Sequence, residues 1–517
     1  MTLESSRKTF DFEDALDITG YGKYNLAMQC SCCLLILAMY LDIFGFSVLM
    51  PAVACDMSLS IARQGILSAV PLMGITFSSY AWGFFADTMG RRRTLFLAMP
   101  IGSFLNFASS MAPNYVSLIV LKLLSAMFVS CANAAAFVLL GESVPKKQRS
   151  KSIFIMACAT FCTQWTICLF ALPIFSLTFK TEIVWLNMYY RPWRLLMQVI
   201  SIPGVIGIVM MIFLKESPKY LITKGRSDDA LNVLKFIYKC NTGMDTCKYP
   251  VECVYTDDVI KEPNSNEKSF LLKLWHQTAP LFKPPLLKNS VILYYVLLCA
   301  YMISTGYTMW VPTMTNAYFA GNETNGYTFC EVASRSASVS ITHINTDCNS
   351  TIKPSTLYAV ICYSVASTVV SLILFFLVGP LGKKTTTLAM IAGTTVSGVL
   401  LLFVRIPILS IALFYIFLFV ALILGSINSY LVELNPTYLR GMATCLSVVV
   451  ARGFGFLSVQ LIATLLADYC TPMIVGYVVL NASGLLVAAF LPPDEKKEKQ
   501  KSEVDSSNSV GIEKTKL

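Results

Sequence analysis

GESVPKKQR at residues 141–149 closes one long apolar run, and VELNPTYLR at residues 432–440 closes another. Both carry Glu-x-x-Pro-x-x-x-Arg: Glu142, Pro145 and Arg149, then Glu433, Pro436 and Arg440, at an offset of 291 residues. Proline ends a helix because it lacks an N–H and pushes the preceding residue out of the α region. Each phrase therefore reads as a helix end, with the glutamate on the last turn and the arginine just beyond it. A second pair of landmarks agrees. GFFADTMGRRR (83–93) and VGPLGKKTT (378–386) align Gly90-Arg91-Arg92 with Gly382-Lys383-Lys384 at an offset of 292. Two independent landmarks that agree to one residue make the chain a tandem repeat.

What repeats is apolar. The 517 residues are 55% hydrophobic and 14% charged, with a mean hydropathy of +0.63. A soluble chain carries about 25% charged residues, so this is an integral membrane protein. Apolar segments fall near 29–50, 65–85, 94–110, 116–140, 152–174 and 193–214. After a polar stretch they resume near 289–311, 355–377, 386–403, 407–431, 442–466 and 472–490. Each can cross a hydrocarbon core of roughly 30 Å. The expectation is an all-α membrane protein of twelve transmembrane helices in two six-helix halves, 29–214 and 289–490. A segment 1–28 precedes them, a loop 215–288 joins them, and a disordered tail 491–517 follows.

With the N-terminus in the cytosol, 31 of the 40 Lys and Arg fall in cytosolic segments and six in the opposite loops. That bias predicts both termini cytosolic. It accounts for the net charge of +10 without invoking nucleic acid. The outer loop 312–354 holds the sequons Asn322-Glu-Thr and Asn349-Ser-Thr, and Cys330 and Cys348 as a candidate disulfide. Glycans and disulfides both belong on the non-cytosolic side. In the loop 215–288, Ser227 reads as an N-cap, followed by the acidic first-turn residues Asp228 and Asp229. Ala230, Leu234 and Ile237 form the apolar stripe of an amphipathic helix lying under the bundle.

Gly83-x-x-x-Asp87-x-x-Gly90-Arg91-Arg92 resembles the loop 2–3 signature of the major facilitator superfamily. Parallel six-helix halves fit that transporter architecture, with binding sites at their interface. TGYGKYN (19–25), PWRLL (192–196), KESPKYLITKGRSDDALNVLKFI (215–237), MWVP (309–312) and ELNPTYLRG (433–441) resemble the synaptic vesicle glycoprotein 2 family and its organic-ion-transporter relatives. The resemblance implies transport by alternating access. Gly83, Asp87, Gly90, Arg91, Arg92, Glu142, Arg149, Glu433 and Arg440 would then ring the cytosolic face where the halves meet and act as a gate.

Charges inside the spans need a reason, since each costs about 2.5–3.5 kcal/mol at a helix centre. Asp42 lies about 13 residues into the first span, roughly 20 Å from the cytosolic edge. Arg452 is near the middle of the eleventh. Lys122 is about six residues inside the outer end of the fourth, where snorkelling to water is the simple reading. By resemblance, Asp42 stands at a glutamate position of helix 1 and Met39 at an aspartate position. Lys122 opens the helix 4 motif, whose glycines have become Ala126, Phe128 and Ser130, which argues against close packing there. Arg452 matches a basic position that in the organic-ion relatives goes with anionic substrates. Asp42 is thus a candidate coupling or ligand carboxylate, and Arg452 a candidate ligand or counter-ion. Trp310 with Tyr307, one turn earlier, is a candidate aromatic wall.

No nucleotide-binding loop, G-x-S-x-G elbow or histidine-based cluster is present, so neither an enzyme, a cofactor nor a metal is expected. The expected function is alternating-access transport of a small polar organic solute, anionic or zwitterionic by the hint of Arg452. The rival is a transporter-shaped vesicle or surface glycoprotein that acts through protein partners of its tails and outer loop.

Overall fold

The computed structural model describes residues 9–255, 279–284, 286–320, 326–333, 352–435, 440–466 and 468–492. The sequons at Asn322 and Asn349, Cys348, Pro436 and the tail beyond residue 492 lie outside them, as do the side chains of Glu433 and Arg440. The chain divides into two compact units, one centred on Met1–Lys268 and the other on Ala366–Leu517.

In the first unit, α1 (Phe12–Ile18) precedes a long helix, α2 (Lys23–Tyr40), which passes through a π-helical turn at Leu41–Gly45 into α3 (Phe46–Asp56). Next come α4 (Ile61–Met89), α5 (Arg91–Ser110), α6 (Tyr115–Val129) and α7 (Cys131–Ser143). The helices α8 (Lys146–Phe161) and α9 (Thr163–Phe175) form a pair bent by 43°. A hairpin of β2 (Thr181–Ile183) and β3 (Met188–Tyr190) leads to α10 (Pro192–Val199) and α11 (Ile202–Phe213). Close packing on α6 survives its missing glycines because they stand on the facing helices. A Cβ on Gly74 would sit 2.9 Å from the Leu123 carbonyl oxygen, and one on Gly102 would sit 2.6 Å from Val129 Cγ1. Small residues that let backbones approach are the main packing device where lipid removes the hydrophobic drive.

Outside the apolar helices, the N-terminal segment and the loop fold together. Strand β1 (Thr9–Asp11) pairs in parallel with β4 (Cys253–Tyr255), in the register Thr9↔Cys253. Phe12 and Leu16 of α1 pack with Leu221 of α12 (Pro218–Thr223), Leu234 of α13 (Ser227–Thr242), and Val251 and Val254. The stripe expected on α13 is present: Ala230, Leu234 and Ile237 are its buried residues. The helix begins at Ser227 itself, so Arg226, and not Ser227, holds the cap position. The preceding Gly225 supplies the turn at φ +73°. Tyr249 donates its hydroxyl to the Ala15 carbonyl at 2.6 Å, and burial raises its pKa above the usual phenol value. Asn241 closes the seam, donating to Gly20 O (2.9 Å) and Asn25 Oδ1 (2.7 Å) while accepting from the Tyr24 N–H (3.1 Å).

In the second unit lie α16 (Lys383–Leu401), α17 (Pro407–Leu418), α18 (Leu424–Leu434), α19 (Arg440–Leu465) and α20 (Cys470–Ala488). Two further helices, α14 (Leu287–Ala320) and α15 (Pro354–Leu381), precede them in the chain and are divided between the two units, with 309–319 and 354–365 in the first. Cys330 is disulfide-bonded to Cys470, 140 residues on. This overturns the expected pairing of Cys330 with Cys348: the first residue of α20 is brought to Cys330, with a Cα–Cα distance of 5.4 Å.

The repeat is visible in backbone angles. Gly90 (φ 106°, ψ 152°) starts α5, and Gly382 (φ 86°, ψ 152°) starts α16. Only glycine takes such angles without strain. Thr94 Oγ1 donates to Gly90 O at 2.8 Å, and Thr386 Oγ1, at the same offset of 292, donates to Gly382 O at 2.7 Å. The ends of α7 and α18, Ser143 and Leu434, are 291 residues apart.

Two outcomes follow. Leu16→Ala opens a cavity in the module core and costs about 3 kcal/mol, so the amides of α13 should exchange with solvent roughly 100-fold faster by hydrogen-exchange mass spectrometry. Non-reducing peptide mapping of the purified protein should recover a Cys330–Cys470 link and no Cys330–Cys348 link.

Candidate functional site

Within the first unit, Asp42 and Lys122 form a closed ion pair. Their side chains are 2% and 0% exposed. Lys122 Nζ donates to a carboxylate oxygen of Asp42, to the Asp42 backbone carbonyl (2.9 Å) and to Asn106 Oδ1 (3.2 Å), which uses its three protons. Ser125 donates to the other Asp42 oxygen at 2.8 Å, and Asn106 donates onward to Ser201 at 3.0 Å. The π turn explains how the backbone carbonyl takes part, since its wider spacing frees a main-chain group that a regular α-helix would occupy. Phe46 closes one side, its ring centre 4.9 Å from the ammonium. The snorkelling expected of Lys122 is therefore wrong. The first span supplies a counter-charge and a carbonyl at the buried ammonium itself.

A second cluster lies where α3 ends at Asp56, and the sequence reading missed it. Asp56 is ion-paired with Arg191, Nε at 2.8 Å, and accepts from Trp193 Nε1 (3.1 Å), with Arg194 at 3.7 Å. Arg194, 2% exposed, donates at 2.8 Å to each of the carbonyls of Ser110 and Ala112, at the end of α5. A guanidinium on the orphan carbonyls of a helix C-terminus is favourable. PWRLL was the available signal, but its partners are about 80 to 137 residues away.

At the charged end, Arg91 reaches Asp87 (3.1 Å) and Glu142 (3.2 Å), while its guanidinium lies 5.1 Å from the ring centre of Tyr220. Glu142 also accepts from the Ser217 hydroxyl. Asp87 is 74% exposed, so the part-buried Arg91–Glu142 contact carries most of this joint. Arg149 does not pair with Glu142 of its own phrase. It reaches Glu13 of α1 at 2.7 Å, and the Lys146 N–H donates to Asp17 at 3.1 Å. Gly90 is required by more than its φ: an added Cβ would lie 2.6 Å from Glu216 Oε2. Gly83 meets nothing within 4 Å and is not needed for packing. Arg92 donates to the carbonyls of Met211 (3.2 Å) and Ile212 (3.0 Å), closing the end of α11.

In the second unit Arg452 is buried on α19; Trp310, in the stretch of α14 that belongs to the first unit, is also buried. Tyr307 stands in a packed aromatic cluster with Phe414 (5.6 Å), Phe417 (6.2 Å) and Tyr477 (5.0 Å), not on an open wall. Its hydroxyl is buried with no hydrogen-bond partner among the described residues.

Among the described residues, eight helices are long and apolar enough to cross a membrane, or nine if the α8–α9 pair is one span. The helical repeat, the positive-φ glycine at Gly90 and the charged joint around it define a transporter-type membrane fold. The profile of the Major Facilitator Superfamily matches residues 32–457, and the chain belongs to that family. It is a multi-pass integral membrane protein. Synaptic vesicle glycoprotein 2B of Homo sapiens is 23% identical over 339 residues, covering 60% of this chain and 48% of that protein. Organic cation/carnitine transporter 7 of Arabidopsis thaliana is 26% identical over 232 residues, covering 45% and 44%. The chain thus spans about half the length of the curated relatives it matches. Among solved structures, the inward-open xylose transporter XylE from E. coli superposes with a TM-score of 0.63 at 14% identity, over 91% of this chain and 97% of that one. The nucleoside transporter NupG gives 0.58 at 10% identity, over 90% and 99%. At these identities the likeness is one of fold.

Lys122→Met leaves the Asp42 carboxylate buried without its counter-ion and should cost about 3–5 kcal/mol, seen as a lower melting midpoint in detergent. Asp42→Asn combined with Lys122→Met removes both charges and should recover at least half of that loss.

Proposed function

We propose that the protein moves a small polar organic solute across its membrane by alternating access. The observation that carries this reading is a set of buried ionisable side chains inside a major facilitator fold: Asp42 and Lys122 in one unit, Arg452 in the other. Such groups are costly in hydrocarbon and mark solute or ion paths by default. The unpartnered Tyr307 hydroxyl supports it further, since a buried polar atom left open suits a ligand. Arg452 favours an anionic or zwitterionic solute. Trp310 lies three residues after Tyr307 on α14.

Twelve spans, arranged as 29–214 and 289–490 with both termini cytosolic, are the topology of this proposal. Eight apolar helices, the bent α8–α9 pair, and α4, α5 and α16, with 29, 20 and 19 residues, support that number. The joint of Arg91 with Glu142 and Asp87 then serves as the first half of a cytosolic gate, with Arg149 on Glu13 beside it. Glu433 and Arg440 take the matching role in the second half. Asn322 and Asn349 are glycan sites on the outer loop. One observation favours the rival, a non-transporting glycoprotein that works through protein partners: Asp42 and Lys122 satisfy each other and present no free charge.

Uptake into proteoliposomes from a panel of labelled organic anions, zwitterions and cations separates the two. A transporter takes up at least one anionic or zwitterionic solute, and Arg452→Ala lowers its kcat/KM by at least about 30-fold, the cost of leaving a desolvated charge unpaired. Arg91→Ala should raise thiol labelling of a cysteine placed near Glu433 from the cytosolic side. Labelling that stays fixed with no uptake of any solute would support the rival.

A further inference from the structure

The charged face of the first unit holds a cavity of about 550 Å³ between the start of α5, the end of α11 and one side of α13. Four cations line it, Arg92, Arg93, Lys215 and Arg226, against two carboxylates, Glu216 and Asp229. Both carboxylates are already engaged. Glu216 accepts from the N–H groups of Arg92 (2.9 Å), Arg93 (3.2 Å) and Ser217 (3.0 Å). Asp229 holds Arg226 at 2.7 Å. Arg93 and Lys215 are exposed and have no acid within ion-pair distance among the described residues. Their charge is unspent. An adjoining cavity of about 600 Å³ shares Asn232 and Phe236 with the first and adds Lys235 and Lys239.

Exposed apolar side chains adjoin the lining residues, in contact with Arg92 or next to Leu214 in the chain. Phe96 of α5 is 44% exposed, and Ile212 and Phe213 of α11 are 51% and 73% exposed. These side chains belong to helices that cross the membrane in the proposed topology, so they face acyl chains. In the proposed topology the cavity therefore sits where headgroup gives way to hydrocarbon, with cations lining it and apolar side chains adjoining the lining residues. A soluble anion would use only the first feature. A singly charged lipid would leave part of the excess unneutralised.

We propose that this cavity binds an anionic phospholipid of the cytosolic leaflet whose headgroup carries several phosphate charges, the phosphorylated inositol class. Arg93 and Lys215 contact the phosphates, Arg92 and Arg226 complete the cationic wall, and the acyl chains run along Phe96 and Phe213. Basic pockets on the cytosolic side of membrane helices recognise such headgroups through summed charge at the surface. A bound headgroup would bridge α5 to α13 and so join the bundle to the module that carries β1 and β4. The inference uses the proposed orientation and is independent of any transport.

The test is native mass spectrometry of the full chain in detergent, titrated with short-chain phosphatidylinositol bisphosphate, short-chain phosphatidylcholine and free inositol trisphosphate, with melting midpoints recorded in parallel. The expected result is saturable binding of the bisphosphate lipid with a raised midpoint, and none with phosphatidylcholine. Arg93→Ala with Lys215→Ala should weaken that binding about 30-fold and leave the lipid-free midpoint unchanged. If that variant folds poorly, Arg93→Lys with Lys215→Arg keeps both charges and should retain binding. Equal binding by wild type and the alanine variant overturns the site. Full binding of free inositol trisphosphate, without any gain from acyl chains, overturns its assignment to a lipid.

Discussion

An ammonium ion in the middle of a helical bundle must find an anion and two further acceptors, or the helix that carries it cannot stay where it is. Lys122 finds all of them on two neighbouring helices, and much of the first unit is arranged so that it can. The π turn at Leu41–Gly45 brings both a carboxylate and a carbonyl of Asp42 to one point. Asn106 supplies the third acceptor and passes the chain of hydrogen bonds to Ser201, between α10 and α11. Gly74 and Gly102 let α4 and α5 come close enough to α6 for this geometry to hold. Opposite charges held at contact in a dry interior attract strongly, and their desolvation cost is recovered only with such complete hydrogen bonding. The network therefore fixes the mutual placement of several helices, whatever it does in transport.

The charged end follows a different logic. There the valuable groups are the unpaired N–H and C=O groups at helix ends. Glu216 takes the first N–H groups of α5, Arg92 takes carbonyls of α11, and Tyr220 donates to Thr88 O at 2.7 Å near the end of α4. The short stretch Lys215–Tyr220 and Arg92 thus close three helix ends between them, and the chain then enters the module. The Arg91–Glu142 contact sits within this frame of neutral and charge-assisted bonds, and a rearrangement there would be felt at every one of these ends.

Much of this was legible in the chain. The repeat rested on short charged phrases with strict spacing, and its geometry depends on local chemistry: a glycine with positive φ, a proline after a helix. Such features are written within ten residues, so they can be read. Partners across the fold are not. Lys122 and Asp42 are 80 residues apart, Arg149 and Glu13 are 136 apart, and Cys330 and Cys470 are 140 apart. Two expectations chose the nearest plausible neighbour: water for the lysine and the same-loop cysteine for the disulfide. Tertiary packing chose otherwise. The glycines missing from α6 carry the same lesson, since close approach of two helices needs a small residue on only one of them.

The parallel pairing of Thr9–Asp11 with Cys253–Tyr255 has a consequence in time as well as in space. Its first strand is made long before its partner strand, which is complete only at residue 255. Throughout that interval the N-terminal residues have no strand to pair with and α1 has no α13 to cover Phe12 and Leu16. The module can close only after the first unit's apolar helices have been synthesised. Its closure thus reports that the apolar helices of this half have been built.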